Sequence, residues 1–306
     1  MALSDRLSRL ELASGWRAAA YRAYLAGHRA ADRIGLHVVR ASYDSPIPQR
    51  ADRSAALQRV SPMRGLGWDP AAQLAFVERE LAPYLDEFRP SADPSAGPGV
   101  FRLDNQTYDR VDAELLYAIA RWARPAQHVE LGSGYSTLVA ALALEANARD
   151  GRPGRLRCYD PYPSPHVLAR ADLAGLVERT AVQELDERVV TDFGAGDILF
   201  VDTSHTVKLG GDVNRIVLDL LPLVAPGVVV HFHDIFLPGE YSAGHLDHAH
   251  FWNEQYLLQA FLSGNADWEI LVGAQALARD HPARLRELIP SFAPGVSPGA
   301  FWIRRR

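Results

Sequence analysis

Two short polar runs contain the residue types that most directly suggest chemistry. Asp202 stands three positions before His205, and His233 is followed directly by Asp234. Each run follows a short apolar stretch typical of a buried strand. Carboxylate oxygens are ligands that Mg²⁺ and Mn²⁺ prefer, and an added imidazole nitrogen favours Mn²⁺, Fe²⁺ or Zn²⁺. The sequence therefore predicts a metal site made by Asp202, His233 and Asp234, with a turn-capping role for Asp202 as the alternative.

A second candidate site is the glycine-containing run from Glu130 to Ser136, which follows a strand and opens a helix. Gly132 and Gly134 allow a sharp turn and a close approach of the backbone to a ligand. A dinucleotide-binding loop would have its third glycine where Thr137 stands. An acid just before the glycines repels pyrophosphate but pairs with the ammonium of an amino-acid-bearing cofactor. Asp160, at the end of the next strand, is suited to a ribose diol.

Alternating strands and helices must position these side chains. Apolar periodicity predicts an α/β fold. Helices are expected at residues 112–122, 137–148, 213–224 and 253–262, and strands at residues 128–131, 155–159, 197–201, 228–232, 268–272 and 301–304. Strands that alternate with helices form a mostly parallel sheet covered on both faces. In such sheets ligands bind outside the carboxyl ends of the strands. We therefore expect both polar runs and the glycine run at one edge of the sheet.

The run VELGSGYST at residues 129–137 resembles motif I of the class I S-adenosylmethionine-dependent methyltransferases, and Asp160 matches the ribose-binding acid of that family. The resemblance extends from about Asp112 to Arg306. It implies a Rossmann-like fold with a mostly parallel seven-stranded sheet. It also implies S-adenosylmethionine as the cofactor. By the same resemblance, the cofactor-binding residues are Glu130, Gly132, Gly134, Ser136 and Asp160.

The two polar runs resemble those of metal-dependent O-methyltransferases, both the catechol type and enzymes that act on macrolide sugars. The spacing of Asp202 and His205 is similar to that of the sugar-modifying group, in which the histidine is a candidate base. The chain departs from both patterns. Ile235 follows the second aspartate where catechol-type enzymes have Asn, and His233 stands where the sugar-modifying group has an acid.

These features predict methyl transfer to a hydroxyl of a small polar acceptor, with Mg²⁺ or Mn²⁺ as an assisting ion. The sulfonium methyl is already activated, so the enzyme must align an oxygen and remove its proton. His205 is the predicted base. Lys208, the only lysine of the chain, is predicted to bind the substrate or to assist deprotonation.

Other functions stay open at the level of sequence. A base and a shaped pocket would serve N-methylation equally well. An NAD(P)-dependent oxidoreductase is disfavoured by Glu130 and Thr137 and by the lack of a Tyr-x-x-x-Lys pair. A metallohydrolase that uses His231, His233 and Asp234 leaves the glycine run unexplained. A non-catalytic binding protein on the same fold is a further alternative.

Residues 1–95 precede the resemblance and are predicted to form a helical or irregular extension, with the methyltransferase domain at 96–306. The proline- and glycine-rich residues 89–100 mark this boundary. The extension is expected to cover the substrate site or to contact another copy of the chain, which would suit a homodimer.

Composition excludes several classes of protein. The net charge of −5 argues against a nucleic-acid partner, and no apolar run approaches the ~18 residues of a membrane span. A single cysteine, Cys158, indicates a reducing compartment. The use of arginine in place of lysine indicates a GC-rich genome. We therefore expect a cytoplasmic, bacterial enzyme.

Overall fold

The computed structural model describes residues 16–93 and 95–306. It divides into a compact unit that ends at Ala55 and a second unit that spans Ala56–Arg306. The first unit contains helix α1 (Trp16–Asp32), where no side chain that the structure describes is buried. The part of the predicted N-terminal helix at residues 1–15 lies outside the described residues.

The second unit is built on one sheet. Its strands are β1 (Gln127–Leu131), β2 (Arg155–Tyr159), β3 (Val177–Glu178), β4 (Ile198–Val201), β5 (Val229–Phe232), β6 (Trp268–Gly273) and β7 (Phe301–Arg305). The strand order of this seven-stranded sheet is β3-β2-β1-β4-β5-β7-β6. Strands β1 to β5 are parallel, and β7 runs antiparallel to both β5 and β6. The predicted mostly parallel, Rossmann-like α/β sheet is confirmed.

Helices surround this sheet. The remaining helices that the structure describes are α2 (Arg53–Leu57), α3 (Pro70–Phe76), α4 (Ala82–Glu87), α5 (Asp112–Ala123), α6 (Tyr135–Arg149), α7 (Pro165–Leu168), α8 (Ala171–Ala174), α9 (Arg188–Thr191), α10 (Asp212–Asn214), α11 (Ala243–Asp247), α12 (Glu254–Leu262), α13 (Ala274–Asp280) and α14 (Pro282–Leu288). Two segments have π-helical geometry, Val77–Leu81 and Arg215–Leu220. Short 3₁₀ turns lie at Val182–Glu184 and Leu221–Leu223. The structure describes no helix that is long and apolar enough to cross a membrane.

Each face of the sheet has its own apolar core. One core contains Leu116 of α5 and Leu138 of α6, and the other contains Ile216 and Leu258 of α12. The strands are apolar on both sides because both faces are covered, which explains the continuous apolar runs in the sequence. The prediction of helices on both faces is therefore confirmed.

The compact units divide earlier than the predicted boundary near residue 95. Val77 and Leu81 are fully buried in the core of the second unit. The Gln73 side-chain carbonyl accepts a hydrogen bond from the Gly273 backbone N–H at 2.9 Å. Residues 70–88 therefore belong to the second unit, and residues 89–93 and 95–100 are loop segments within it. The predicted role of the extension as a cover or an oligomer contact stays a prediction.

Strand β3 and the short helices α2, α7, α8, α9, α11, α13 and α14 were not predicted. Strand β3 pairs through only Val177 and Glu178, which is too short for a period of two to be recognised. Helices α13 and α14 each have seven residues, shorter than the window in which a helical period stands out.

Candidate active site

The glycine run forms the tight turn between β1 and α6. Gly132 has a φ of +100°, and a Cβ at this position would lie 2.0 Å from the Asp202 carbonyl oxygen. The Gly132 N–H donates to the Tyr159 carbonyl at 2.9 Å, and the Asp202 N–H donates to Leu131 at 2.9 Å. The turn therefore brings the ends of β1, β2 and β4 together, and only glycine fits at its first position.

A cavity of about 560 Å³ lies over these strand ends. Its lining includes Gly132, Asp160, Val182, Asp202 and Lys208. The Asp160 carboxylate accepts hydrogen bonds from the Ser133 hydroxyl at 2.7 Å and from the Tyr162 N–H at 2.8 Å. The cavity thus places the predicted ribose-binding acid on the same wall as the glycine turn.

A neighbouring cavity of about 350 Å³ shares Ser133 and Asp202 with the first. Gly134 and Ser136, at the start of α6, line this second cavity together with Tyr108. Four of the five predicted cofactor-binding residues therefore line two adjoining cavities, which suits an extended ligand.

Glu130, the fifth of these residues, is fully buried beneath the glycine turn. Its Oε2 accepts a hydrogen bond from the Thr137 hydroxyl, and that hydroxyl in turn accepts from the Gly134 N–H at 3.1 Å. Its Oε1 has no hydrogen-bond partner among the described residues and lies 3.6 Å from His128 Nε2. Glu130 therefore supports the turn from below, and its predicted pairing with a cofactor ammonium stays a prediction.

The two polar runs meet at the ends of β4 and β5. Asp202, His233 and Asp234 each offer a ligand atom, and these atoms all lie within 4.8 Å of one another. His233 Nδ1 lies 3.8 Å from Asp202 Oδ2 and 3.6 Å from Asp234 Oδ2. Two carboxylates and one imidazole are a donor set that fits Mn²⁺ and similar divalent ions. The three predicted metal ligands therefore come together, and their side chains suit the predicted ion.

His205 contacts the carboxylates of Asp202 and Asp234 through the Nε2 edge of its ring. His205 Nε2 is 3.2 Å from Asp202 Oδ1 and 3.5 Å from Asp234 Oδ2. On the opposite side, Nδ1 lies 2.9 Å from the buried Glu254 carboxylate. The ring is therefore held between acids, with Nε2 directed toward Asp202 and Asp234.

The backbone around His205 is fixed as firmly as its ring. His205 has a φ of +54°, which is uncommon for a residue other than glycine. Its carbonyl accepts from the N–H groups of Asn253 at 3.0 Å and Glu254 at 3.2 Å. The Asn253 side chain also accepts from the Val207 N–H. The first turn of α12 thus clamps the loop after β4 in a strained conformation, a feature that recurs at functional sites.

The charges in this cluster depend on one another. Burial opposes the charged form of His205, but Asp202 and Glu254 outweigh it and raise its pKa to about 10. Burial is likewise outweighed for His233, whose pKa is raised by Asp234 and Asp202. Burial would raise the pKa of Asp202 and Asp234, but the two histidines hold both pKa values below the usual range. The negative charges of Asp202 and Asp234 are thus balanced by positive charge on the two imidazole rings. A bound divalent cation would take the place of that positive charge.

Lys208 does not join this cluster. Its exposed side chain lines the larger cavity on the side of Asp160. Its predicted role toward the acceptor stays a prediction.

Sequence analysis gave no site role to Asp112, Asp212 or Gly299, and it left Glu254 open as a residue of a substrate pocket or of the core. Asp212 accepts hydrogen bonds from the Ser204 N–H at 2.9 Å and the Ser204 hydroxyl at 2.6 Å, which fixes the loop before His205. Asp112 lies 3.6 Å from His233 Nε2. The one signal in the sequence for Asp112, Asp212 and Glu254 as site residues is that each is an acid in the first turn of an apolar helix. Helix-capping acids give the same signal, so only the fold distinguishes these roles.

Comparison with known proteins gives one family match, which includes most of the residues of this site, and similar solved structures. Residues 129–235 match a family described as "Methyltransferase domain". Among solved structures, the chain is similar to the Burkholderia thailandensis 1,6-didemethyltoxoflavin-N1-methyltransferase with bound 1,6-didemethyltoxoflavin and S-adenosylhomocysteine. The identity is 15%, the match covers 88% of this chain and 94% of that chain, and the TM-score is 0.39. A candidate methyltransferase from Thermobifida fusca is 19% identical over 81% of this chain and 95% of its own, with a TM-score of 0.35. The chain matches no curated protein sequence.

Proposed function

We propose that the chain is a class I S-adenosylmethionine-dependent methyltransferase and that it methylates a hydroxyl of a small polar acceptor with the help of a divalent cation. The observation that carries the proposal is the arrangement of His205. Its Nδ1 is held by Glu254 at 2.9 Å, and its Nε2 faces Asp202 and Asp234 beside the cofactor-sized cavities. A histidine held in this way is suited to take a proton from a hydroxyl.

We propose that the cofactor spans the two adjoining cavities. Asp160 would accept hydrogen bonds from the ribose hydroxyls, while Gly132, Gly134 and Ser136 line the methionine end. Asp202 belongs to the lining of both cavities. The methyl group would therefore be delivered next to the cluster that contains His205.

Asp202, His233 and Asp234 would hold the divalent cation, which supplies stabilisation of the developing alkoxide. His205 would accept the substrate proton at Nε2, for which its ring must first be neutral. A neutral ring requires that another positive charge, that of the divalent cation, balance Asp202 and Asp234. Glu254 stabilises the imidazolium that results. Half-burial of the carboxylates limits competition from water. Lys208, on the cavity wall, would bind a polar group of the substrate.

Methyl transfer from tritiated S-adenosylmethionine to a panel of polyols, amino sugars, catechols and amines tests this proposal. We expect product with Mn²⁺ present and little with EDTA. His205→Asn should lower kcat by roughly 100-fold or more, the usual contribution of a general base, with unchanged affinity for S-adenosylhomocysteine.

His248→Asn is the matched control, because that ring is exposed and bonded only to the Gly244 carbonyl at 2.8 Å. It should behave like the wild type. Mass spectrometry that finds the methyl group on nitrogen contradicts O-methylation, and full activity of His205→Asn contradicts the assigned base.

A further inference from the structure

Asp112, the first residue of α5, carries a buried carboxylate that is firmly fixed. Its Oδ2 accepts from the Gly299 N–H at 3.0 Å, and its Oδ1 accepts from the Ala300 N–H at 2.9 Å. The Tyr108 hydroxyl donates to the Asp112 carbonyl at 3.1 Å. The carboxylate is therefore held by the segment before β7, and the Asp112 backbone is held by Tyr108.

His233 lies between this carboxylate and the candidate metal ligands. Its Nδ1 faces Asp202 and Asp234, whereas its Nε2 lies 3.6 Å from Asp112 Oδ2. Nε2 is buried and has no hydrogen-bond partner among the described residues, since 3.6 Å is an ion-pair distance and too long for a hydrogen bond. The Tyr108 ring packs against His233 with centroids 4.9 Å apart. The imidazole therefore has one edge toward the cluster and one toward a fixed acid.

Asp234 depends on the same segment. Its backbone has a φ of +56°, and a Cβ on Gly299 would lie 2.9 Å from the Asp234 nitrogen. The Ile235 N–H donates to the Gly299 carbonyl at 3.0 Å. Gly299 thus contacts the backbone of Asp234 and the carboxylate of Asp112, which ties two sides of the cluster to one short segment.

We propose that Asp112 is a positioning residue for the candidate metal centre, and this inference rests on the metal-assisted function proposed above. A metal-ligating histidine commonly donates its second ring N–H to a carboxylate, which fixes the tautomer and the ring orientation. Asp112 performs this task for His233. The Asp112 carboxylate would accept a hydrogen bond from His233 Nε2–H, which would leave the Nδ1 lone pair free to bind an ion held with Asp202 and Asp234.

Direct titration of Mn²⁺, followed by the electron paramagnetic resonance of the free ion, tests this assignment without an acceptor. Asp112→Asn should weaken Mn²⁺ binding by about 10- to 100-fold, the usual effect of losing such a carboxylate. Affinity for S-adenosylhomocysteine, measured by calorimetry, should stay within about threefold and so report that the fold is intact. In protein labelled with ¹⁵N-histidine, spin-echo modulation from a coordinated nitrogen should be present in the wild type and reduced in Asp112→Asn.

Asp197→Asn is the matched control, because it makes the same change in a buried carboxylate that also accepts hydrogen bonds from two backbone N–H groups, those of Gln127 and Gly194. It should leave Mn²⁺ affinity within about threefold. Equal losses in both variants, or no loss in Asp112→Asn, would overturn the assignment. Should Asp112→Asn lose the S-adenosylhomocysteine site as well, the charged variant Asp112→Glu replaces it in the same comparison, with weakened Mn²⁺ binding expected.

The two proposals fail in different ways. Wild-type protein that binds S-adenosylhomocysteine but no Mn²⁺ overturns this inference together with metal assistance. Mn²⁺ binding that depends on Asp112, in a protein that methylates only nitrogen, supports the inference and contradicts the O-methylation proposed above.

Discussion

Asp202 is the residue that joins the two parts of the candidate site. Its carboxylate lies 3.2 Å from His205 Nε2 and 3.8 Å from His233 Nδ1, and its side chain lines both cavities. Its position depends on Gly132, because the Asp202 carbonyl fills the space that a Cβ on Gly132 would occupy. The glycine turn between β1 and α6 and the charged cluster of Asp202, His205, His233 and Asp234 therefore meet at Asp202.

Gly132→Ala tests this dependence. The positive φ alone should cost at least about 1 kcal/mol of folding free energy, and the clash should also move Asp202. We expect a lower thermal midpoint and weaker binding of S-adenosylhomocysteine, measured by calorimetry. Gly134→Ala is the control for stability, since a Cβ there has nothing within 4 Å. Equal midpoints for the two variants would be inconsistent with the predicted clash.

Helices α4, α5 and α6 are connected by Arg121. Its guanidinium lies 2.9 Å from Glu87 and 2.7 Å from Asp150, and the Tyr117 hydroxyl donates to Glu87 at 2.6 Å. Burial would raise the pKa of Glu87, but the hydrogen bonds from Arg121 and Tyr117 outweigh it and lower the pKa. This network joins residues of the predicted extension to the helices that support the glycine turn.

Stability at low pH should report this network. A carboxyl with a lowered pKa contributes stability above its unfolded pKa, and this stability is lost as the pH falls. The urea midpoint of the wild type should therefore fall more between pH 6 and pH 3 than that of Glu87→Gln. The corresponding difference in the free energy of unfolding should be only about 0.5–1 kcal/mol, because Glu87 is partly exposed. Glu184→Gln, which changes an exposed acid, should follow the wild-type profile; a parallel profile for Glu87→Gln would refute the assignment.

The second compact unit requires residues that precede the predicted methyltransferase domain. Val77, Leu81, Leu85 and Phe88 are all buried in its core. At about 1.5–3 kcal/mol for each such side chain, their removal would cancel most of a typical domain stability of about 5–15 kcal/mol. The second compact unit therefore begins well before the proline-rich residues 89–100.

Two truncations distinguish the structural boundary from the predicted one. A chain that begins at Ala56 should fold cooperatively and bind S-adenosylhomocysteine. A chain that begins at Ala96 should lose its thermal transition, because the core of the second unit would be exposed. Circular dichroism melts and calorimetry measure both properties. Comparable melting of the two truncations would show that residues 56–95 are dispensable.

The sequence by itself determined the parts of this protein that depend on short stretches of chain. Apolar periodicity was enough for the α/β class and most element positions, and the resemblance carried by the glycine run indicated the methyltransferase domain that the family match at residues 129–235 supports. The predicted cofactor residues and metal ligands could also be named, because parallel strands end at one edge of a sheet. Their roles stay predictions.

Tertiary structure alone decided what surrounds those residues. Asp112 and Glu254 look like ordinary acids at helix starts, and their separations from the histidines are long in sequence. The burial of Glu130 beneath the glycine turn, with the Thr137 hydroxyl as a donor to its carboxylate, is likewise visible only in the fold. The boundary after Ala55 also depends on packing, since a proline-rich loop and a domain linker have similar composition. Long-range contacts carry no local pattern, which is why the partners that orient His205 and His233 appear only in the fold.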